Sequence, residues 1–571
     1  MKQSSMRQSS IRHLSENQQQ ETVQSQASSL LKILGLESLT DEPTTTTDSE
    51  GQPSFFSALF GSTPLAHSED QNDKNPLYFF DQEYAQNRKD IKQLDYKNDN
   101  KEIDSLEAEE RERLKNKVFA FFCQPGHEFS KYLVLLSHMN TKKEKFADKD
   151  FPASLNSIMG KNYSRQSEWG DCIWLSPDEF YGKNNYQVFV GGIEIGDIHQ
   201  GKLGNCYFLS TLSSLAEWPH RIQKLFATKE RNDAGCYCVK ICEMGEWKEV
   251  LVDDLFPCSA KTRKPIFTSG NDHELWVLIL EKVWAKIYGS YDAIEDGLTR
   301  ECLHDLTGAP TTYFFTDRKA EWETIWKRLV NAEKNNFVMT CGTEGFGQES
   351  VNAQGIVASH AYSLISAFEE FDRNGKKVRL LKIRNPWGDV EWNGAWSDSC
   401  PNWTPELRAK YKVEKKNDGI FYIGYEDFLK QFDDIQICFV HDNYQYNSLR
   451  KTALPKQGSY FVIKVDKAGR YYITVNQESK RKHAYNADWK YSIVYFRIYR
   501  IVGQGEYQLI TGRNGADKEV WTDVKCEVGN YIVFVQIDWL TKNHDFVLST
   551  YGPSLTQITV TSKQEHPNLY D

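Results

Sequence analysis

Residues 200–219 read QGKLGNCYFLSTLSSLAEWP, a Gly-rich polar turn that runs into an apolar helix with Pro219 as its stop. Cys206 falls in the first turn of that predicted helix, where unpaired backbone N–H groups and the positive end of the helix dipole favour negative charge on the sulfur. A lone cysteine at a helix start is ordinarily a packing residue. Gln200, upstream in the same turn, alters that reading, because its side-chain amide can stand beside the Cys206 backbone N–H as a pair of donors for an oxyanion.

A base and its orienter follow from hairpin geometry. His360 opens the strand HAYSLISAFEE, the turn is Asp372-Arg373-Asn374-Gly375, and the returning strand KKVRLLKIRN ends at Asn385. Folding the chain at that turn sets His360 across from Asn385 to within about a residue. An asparagine there can hold the imidazole, and Trp387 can shield the bond from water. His199 is a rival base by proximity in sequence, and the sequence shows no orienter for it. Cys206, His360 and Asn385 stand in the chain order Cys, His, Asn found in papain-like thiol proteases.

Read together, these segments resemble the calpain family. QGKLGNCYFLSTLSSLA is similar to its nucleophile box, SHAYSL to its histidine box and RNPWGDVEWNGAWSD to its asparagine box, with further likeness in DKDFPAS, VLVDDLFP, ELWVLILEKVWAKIYGSY and DGIFYIGYEDFLKQFDDIQIC. The resemblance covers about residues 146–441. It implies an α+β fold, with a two-lobed papain-like protease core followed by an antiparallel β-sandwich. It also implies that Cys206 is the nucleophile, His360 the general base, Asn385 the orienter and Gln200 the oxyanion donor.

The same resemblance implies calcium (Ca2+) in each lobe. In FVGGIEIGDIHQG the first site would take carbonyls from Val190 and Gly192 and the carboxylate of Asp197, with Glu274 as second acid, a hard oxygen set of the kind calcium requires. In the second lobe Glu391, Asp398 and Asp418 match ligand positions, with Lys416 offering a carbonyl. The family's third carboxylate there falls on Ile420, so this site is expected to be weak or empty. The family's arginine that pairs with that acid across the lobes is replaced by Ile195, and an apolar contact is expected to hold the cleft instead. Asn205 and Tyr207 replace the usual Asp and Trp on either side of the nucleophile.

Outward from this core the texture changes. Residues 1–100 are rich in Ser, Gln, Thr and Asp and are expected to be a disordered tail; 101–145 form a charged helical lead-in. Arg7 and Arg12 each precede a serine by three residues (Ser10, Ser15), a weak kinase pattern. The protease lobes are placed at 146–312 and 313–441. Residues 455–563, with YFVIKVDKAGRYYITVNQ, YSIVYFRIYRI, EYQLITGR, YIVFVQIDWL and DFVLSTYG, form short period-2 strands and make the sandwich. No EF-hand loop pattern occurs, so no small-subunit dimerisation module is expected.

Composition sets the outer bounds. The chain has 571 residues and a formal net charge of -10, which argues against coating nucleic acid or anionic lipid. No apolar run reaches the roughly 18 residues of a membrane helix, and the start lacks a secretory h-region. The 12 cysteines are scattered rather than framed, which points to a reducing, cytoplasmic setting. Cys236, Cys238 and Cys242 lack metal-ligand spacing and read as small apolar residues along a strand. The function expected is calcium-dependent limited cleavage of protein substrates by a cysteine endopeptidase. A catalytically idle scaffold of the same family is the alternative, and transglutaminase-type acyl transfer is disfavoured by an Asn rather than an Asp as third member.

Overall fold

The structure, a computed structural model, describes residues 135–136, 139, 143–160, 169–344, 350–483, 488–542 and 544–569. The expected tail (1–100) and most of the helical lead-in lie outside these residues. Among the described residues, no helix is long and apolar enough to cross a membrane.

The first part of the described chain is built around the helix Trp276–Tyr288. Its sequence, WVLILEKVWAKIY, is apolar almost all round, so it can be stable only when surrounded. Gly289, at φ 99°, ends it in the left-handed conformation that glycine adopts without a Cβ penalty. The helices Cys206–Ala216 and Thr299–Thr307 share its core, which Phe208, Leu212, Trp284 and Leu303 fill. Pro219 does not merely stop the helix of Cys206, which ends at Ala216; it starts the next one, Pro219–Gln223, at the position where a missing N–H costs nothing. Cys236, Cys238 and Cys242 lie fully buried on the strand Cys236–Glu243, and burial pushes all three thiols well up.

A six-stranded antiparallel sheet follows. Its strands run Ile420–Gly424, Lys377–Arg384, Ala361–Phe371, Val338–Gly342, Asp434–Cys438 and Thr311–Phe315 in spatial order. The edge strand Thr311–Phe315 pairs with Asp434–Cys438, so this sheet takes in residues before the expected division at 312/313. Its own core contains Leu329, Leu364, Ile383 and Phe428.

The C-terminal part is rich in sheet, as expected, but begins earlier. Gln445–Thr452 pairs along its whole length with Asp545–Gly552, so the first strand precedes the expected start at 455. Gly469–Asn476 and Glu519–Cys526 complete a four-stranded sheet. Ser459–Val465 belongs instead to a five-stranded sheet with Glu506–Gly515, Ile493–Gly503, Gly529–Asp538 and Gln557–Thr561. The Gly turn in YFVIKVDKAGRYYITVNQ therefore carries the chain from one sheet to the other. Phe461, Ile463, Val494 and Phe496 of the larger sheet share a core with Val475, Val524 and Leu548 of the smaller, which is why these strands alternate apolar and polar residues.

Candidate active site

The turn before Cys206 is shaped by a close approach. A Cβ on Gly201 would lie 1.9 Å from the carbonyl oxygen of Phe267, so only glycine lets the turn lie against that backbone. Lys202 N–H donates to the Ile266 carbonyl at 2.9 Å, and Gln200 Nε2 donates to the Leu203 carbonyl at 2.8 Å, closing the turn. Asn205 is buried and makes no side-chain cap. Its Nδ2 donates instead to Glu281 Oε1 at 2.7 Å, fastening the turn to the central helix. Cys206 is the first residue of its helix, as expected from the sequence, and is half-buried. Gln200 spends one amide hydrogen on Leu203, and its Oε1 is buried with no hydrogen-bond partner.

His360 and Asn385 meet. The imidazole Nε2 and Asn385 Oδ1 are 2.8 Å apart, with both residues almost fully buried. The amide cannot face the other way, because its Nδ2 donates to the carbonyls of Asp389 and Val390 at 2.9 and 3.0 Å. Oδ1 is thus the acceptor and Nε2 carries a hydrogen, which in a neutral ring makes Nδ1 the basic nitrogen. Trp387 lies 4.9 Å from the imidazole, ring centre to ring centre, and its backbone N–H donates to Asn385 Oδ1 at 3.1 Å.

The hairpin register differs from the expected one. Arg384 pairs with Ser363 and Lys382 with Ser366, with a bulge between them, so Asn385 projects toward the level of Tyr362 rather than His360. The two side chains still bond because both residues lie just outside the paired strands, where the chain has left the ladder. The Asn385 N–H donates to the Gly419 carbonyl at 2.8 Å, which draws it aside.

The nucleophile helix packs on this hairpin. Ser363 Oγ donates to the Ser210 carbonyl at 2.8 Å, one helical turn after Cys206 and a few residues after His360. Gln200 N–H donates to the Pro386 carbonyl at 3.3 Å, and Arg384 Nη2 to the Ile198 carbonyl at 2.7 Å. Arg384 is fully buried, and burial pulls its guanidinium down to about 10 against the pull of Asp418 on one side and Asp197 on the other. Sequence reasoning gave this arginine no role. What the structure sets between the two parts at this point is that cation, while Ile195 packs against the first core. His199 does have a partner: its Nε2 lies 3.0 Å from Asn271 Oδ1, an exposed pairing.

The acidic residues fall into two groups. Asp197 and Glu274 are both buried, near enough for the charge of Asp197 to act on Glu274. Burial, with the Asp197 charge adding to it, pushes Glu274 up to about 8, and burial raises Asp197 as well. Val190 N–H donates to Glu274 Oε2 at 3.1 Å, and Gly191 and Gly192 turn through positive φ beside it. Two desolvated carboxyls acting on each other, rimmed by backbone, fit a hard cation that would neutralise them. In the second group Glu391 Oε1 accepts from the N–H groups of Asp418 and Gly419, both at 2.8 Å. Burial, then the charges of Glu391 and Asp418, push Asp398 up to about 7, while the Lys416 backbone N–H opposes the shift. Among the described residues, the trio of metal-type side chains whose ligand atoms come within 4.8 Å of one another is His304, Asp305 and Glu519, not these acids. Lys518 Nζ already sits 3.4 Å from Glu519 there and bonds Asp305.

The profile of the family described as "Calpain family cysteine protease" matches residues 146–439, just over half of the chain. The chain is 35% identical over 310 residues to "Calpain-type cysteine protease DEK1" of Arabidopsis thaliana, an alignment covering 52% of this chain and 14% of the relative. It is 34% identical over 323 residues to "Calpain-2 catalytic subunit" of Rattus norvegicus, covering 54% of this chain and 45% of the relative. The chain thus spans less than half the length of either.

Proposed function

Because the chain belongs to the calpain family of cysteine proteases, we propose that it is a calcium-dependent cysteine endopeptidase that makes limited cuts in protein substrates. The observation that carries this reading is the buried, Trp-covered His360–Asn385 bond beside a hairpin on which the helix of Cys206 packs. In it, Cys206 is the nucleophile, His360 the base, Asn385 the orienter, and the Gln200 amide with the Cys206 N–H the oxyanion donors. The substrate lies extended between two papain-like lobes. The Cys206 sulfur gives its proton to His360 Nδ1 and attacks the peptide carbonyl. His360 then protonates the leaving amine, and water, activated by the same imidazole, releases the acyl group. The two sheets from Gln445 onward form a β-sandwich, with the lobe boundary just before Thr311.

Asp197, Glu274 and the carbonyls of Val190 and Gly192 would hold one calcium ion, and Glu391, Asp398 and Asp418 a second, weaker one. Calcium would neutralise those carboxyls and fix the loops that carry them. Alkylation with iodoacetamide tests the nucleophile. One equivalent incorporated at Cys206, with loss of cleavage in proportion, is the expected outcome; complete inactivation with Cys206 unmodified would contradict it.

A further inference from the structure

We propose that Arg481, in the sheet-rich C-terminal part, is a positioning residue for the nucleophile, so that this part belongs to the catalytic unit rather than being an appendage of it. The inference rests on the reading of Cys206 as nucleophile.

Arg481 sits on a single helical turn, Lys480–His483, between two strands of different sheets. Its footing is firm: Gln477 Nε2, just before the turn, donates to the carbonyls of Ser492 and Asp517 at 2.9 and 3.0 Å. Lys480 N–H donates to Tyr491 OH at 3.1 Å, and that hydroxyl donates on to Glu301 at 3.0 Å.

From this base the guanidinium reaches into the first core and binds three carbonyls. Nη1 donates to Ala293 and Glu295 at 2.9 and 3.1 Å, and Nη2 donates to Asp296. Asp296 has φ 50°, a left-handed conformation uncommon outside glycine, asparagine and aspartate. The clamped segment grips both flanks of Cys206. Asp296 N–H donates to the Gly204 carbonyl at 2.9 Å, on the turn before the nucleophile. On the other flank, Tyr207 OH donates to the Ile294 carbonyl at 3.1 Å and accepts from Trp284 Nε1 at 3.0 Å.

The guanidinium also lies over the Tyr207 ring, 4.9 Å from its centre, a cation–π placement on the residue next to the sulfur. Gly297 leaves the room for this, since a Cβ there would come 2.2 Å from Arg481 Nη2 and 2.7 Å from Tyr207 Cζ. A planar fork of donors can bridge several carbonyls while its face covers a ring; an ammonium cannot do both.

The test uses the full chain with Arg481→Ala, Arg481→Lys and, as control, Lys482→Ala, which removes a neighbouring ion pair to Glu243 that does not touch Tyr207. Steady-state cleavage of a fluorogenic peptide, the iodoacetamide rate at Cys206 and thermal melting are read for each. Arg481→Ala should lower kcat on the order of tenfold, with KM unchanged within about twofold and the alkylation rate falling alongside kcat. Arg481→Lys should regain melting temperature without regaining kcat, and Lys482→Ala should keep the wild-type kcat. An unchanged kcat in folded Arg481→Ala or Arg481→Lys, or an equal fall in Lys482→Ala, overturns the proposal alone. A wild-type chain that does not cleave, or a Cys206→Ser chain that does, would overturn the protease reading beneath it.

Discussion

Glu281 is buried on the central helix, and burial pushes its carboxyl up to about 7 although Thr268 and Asn205 donate to it. Its ordinary value in the unfolded chain is 4.5. The folded state therefore holds a proton that the unfolded state releases, so this group's contribution is fully present below about pH 4.5 and is lost as pH rises through about 7. The loss amounts to about 3 kcal/mol at most. Denaturant unfolding of wild type and Glu281→Gln from pH 5 to 8 checks it: the stability difference should move in favour of the variant as pH rises, and parallel profiles would contradict the assignment. Asn205 sits against this carboxyl, where an amide avoids a second buried charge. That contact was not legible in the sequence, because Asn205 and Glu281 are joined only by the packing of two helices. The approach of Asn385 to His360 was legible, since a single hairpin joins them.

At the scale of elements, the turn Gln200–Asn205 carries two of the proposed catalytic groups at or just beyond its ends and cannot tolerate a side chain at Gly201. Gly201→Ala sets a Cβ against the Phe267 backbone, which cannot rotate away as a side chain would. A loss of about 1–3 kcal/mol is expected, read as a lower melting temperature, together with a fall in kcat. An unchanged melting temperature would contradict the close approach. The helix start at Cys206 and the turn at 372–375 could be read from Gly, Asn and apolar spacing, which act locally. The strand register could not. A bulge between Lys382 and Ile383 shifts it, and nothing local in KKVRLLKIRN announces the bulge. Likewise the alternation in Ser459–Val465 and Gly469–Asn476 identified two strands, but period-2 alternation says only that each strand has one covered face. It does not say which neighbours supply the hydrogen bonds, and these two strands lie in opposite sheets.

Across the whole molecule, the two proposed lobes are tied by the Gln200–Pro386 and Ser363–Ser210 bonds and by Arg384, a buried cation flanked by an acid from each candidate calcium group. The pattern of acids along the chain pointed to both groups, and in each of them burial together with a neighbouring acid's charge raises a carboxyl, Glu274 in the first and Asp398 in the second. With Ile420 in place of a third carboxylate in the second group, calorimetric titration of the full chain should show one calcium site of moderate affinity and a weak second, with Asp197→Asn removing the first. Two sites of equal strength would contradict the weakening assigned to Ile420.

In the proposed mechanism one sulfur, activated by His360 and Asn385, cuts peptide bonds. Its most direct measurement is the cleavage of an unfolded protein substrate by wild type, Asn385→Ala and Cys206→Ser, each with and without calcium. Calcium-stimulated cleavage by wild type is expected, with a rate lower on the order of 100-fold in Asn385→Ala and none in Cys206→Ser. Cleavage by Cys206→Ser at the wild-type rate would contradict it.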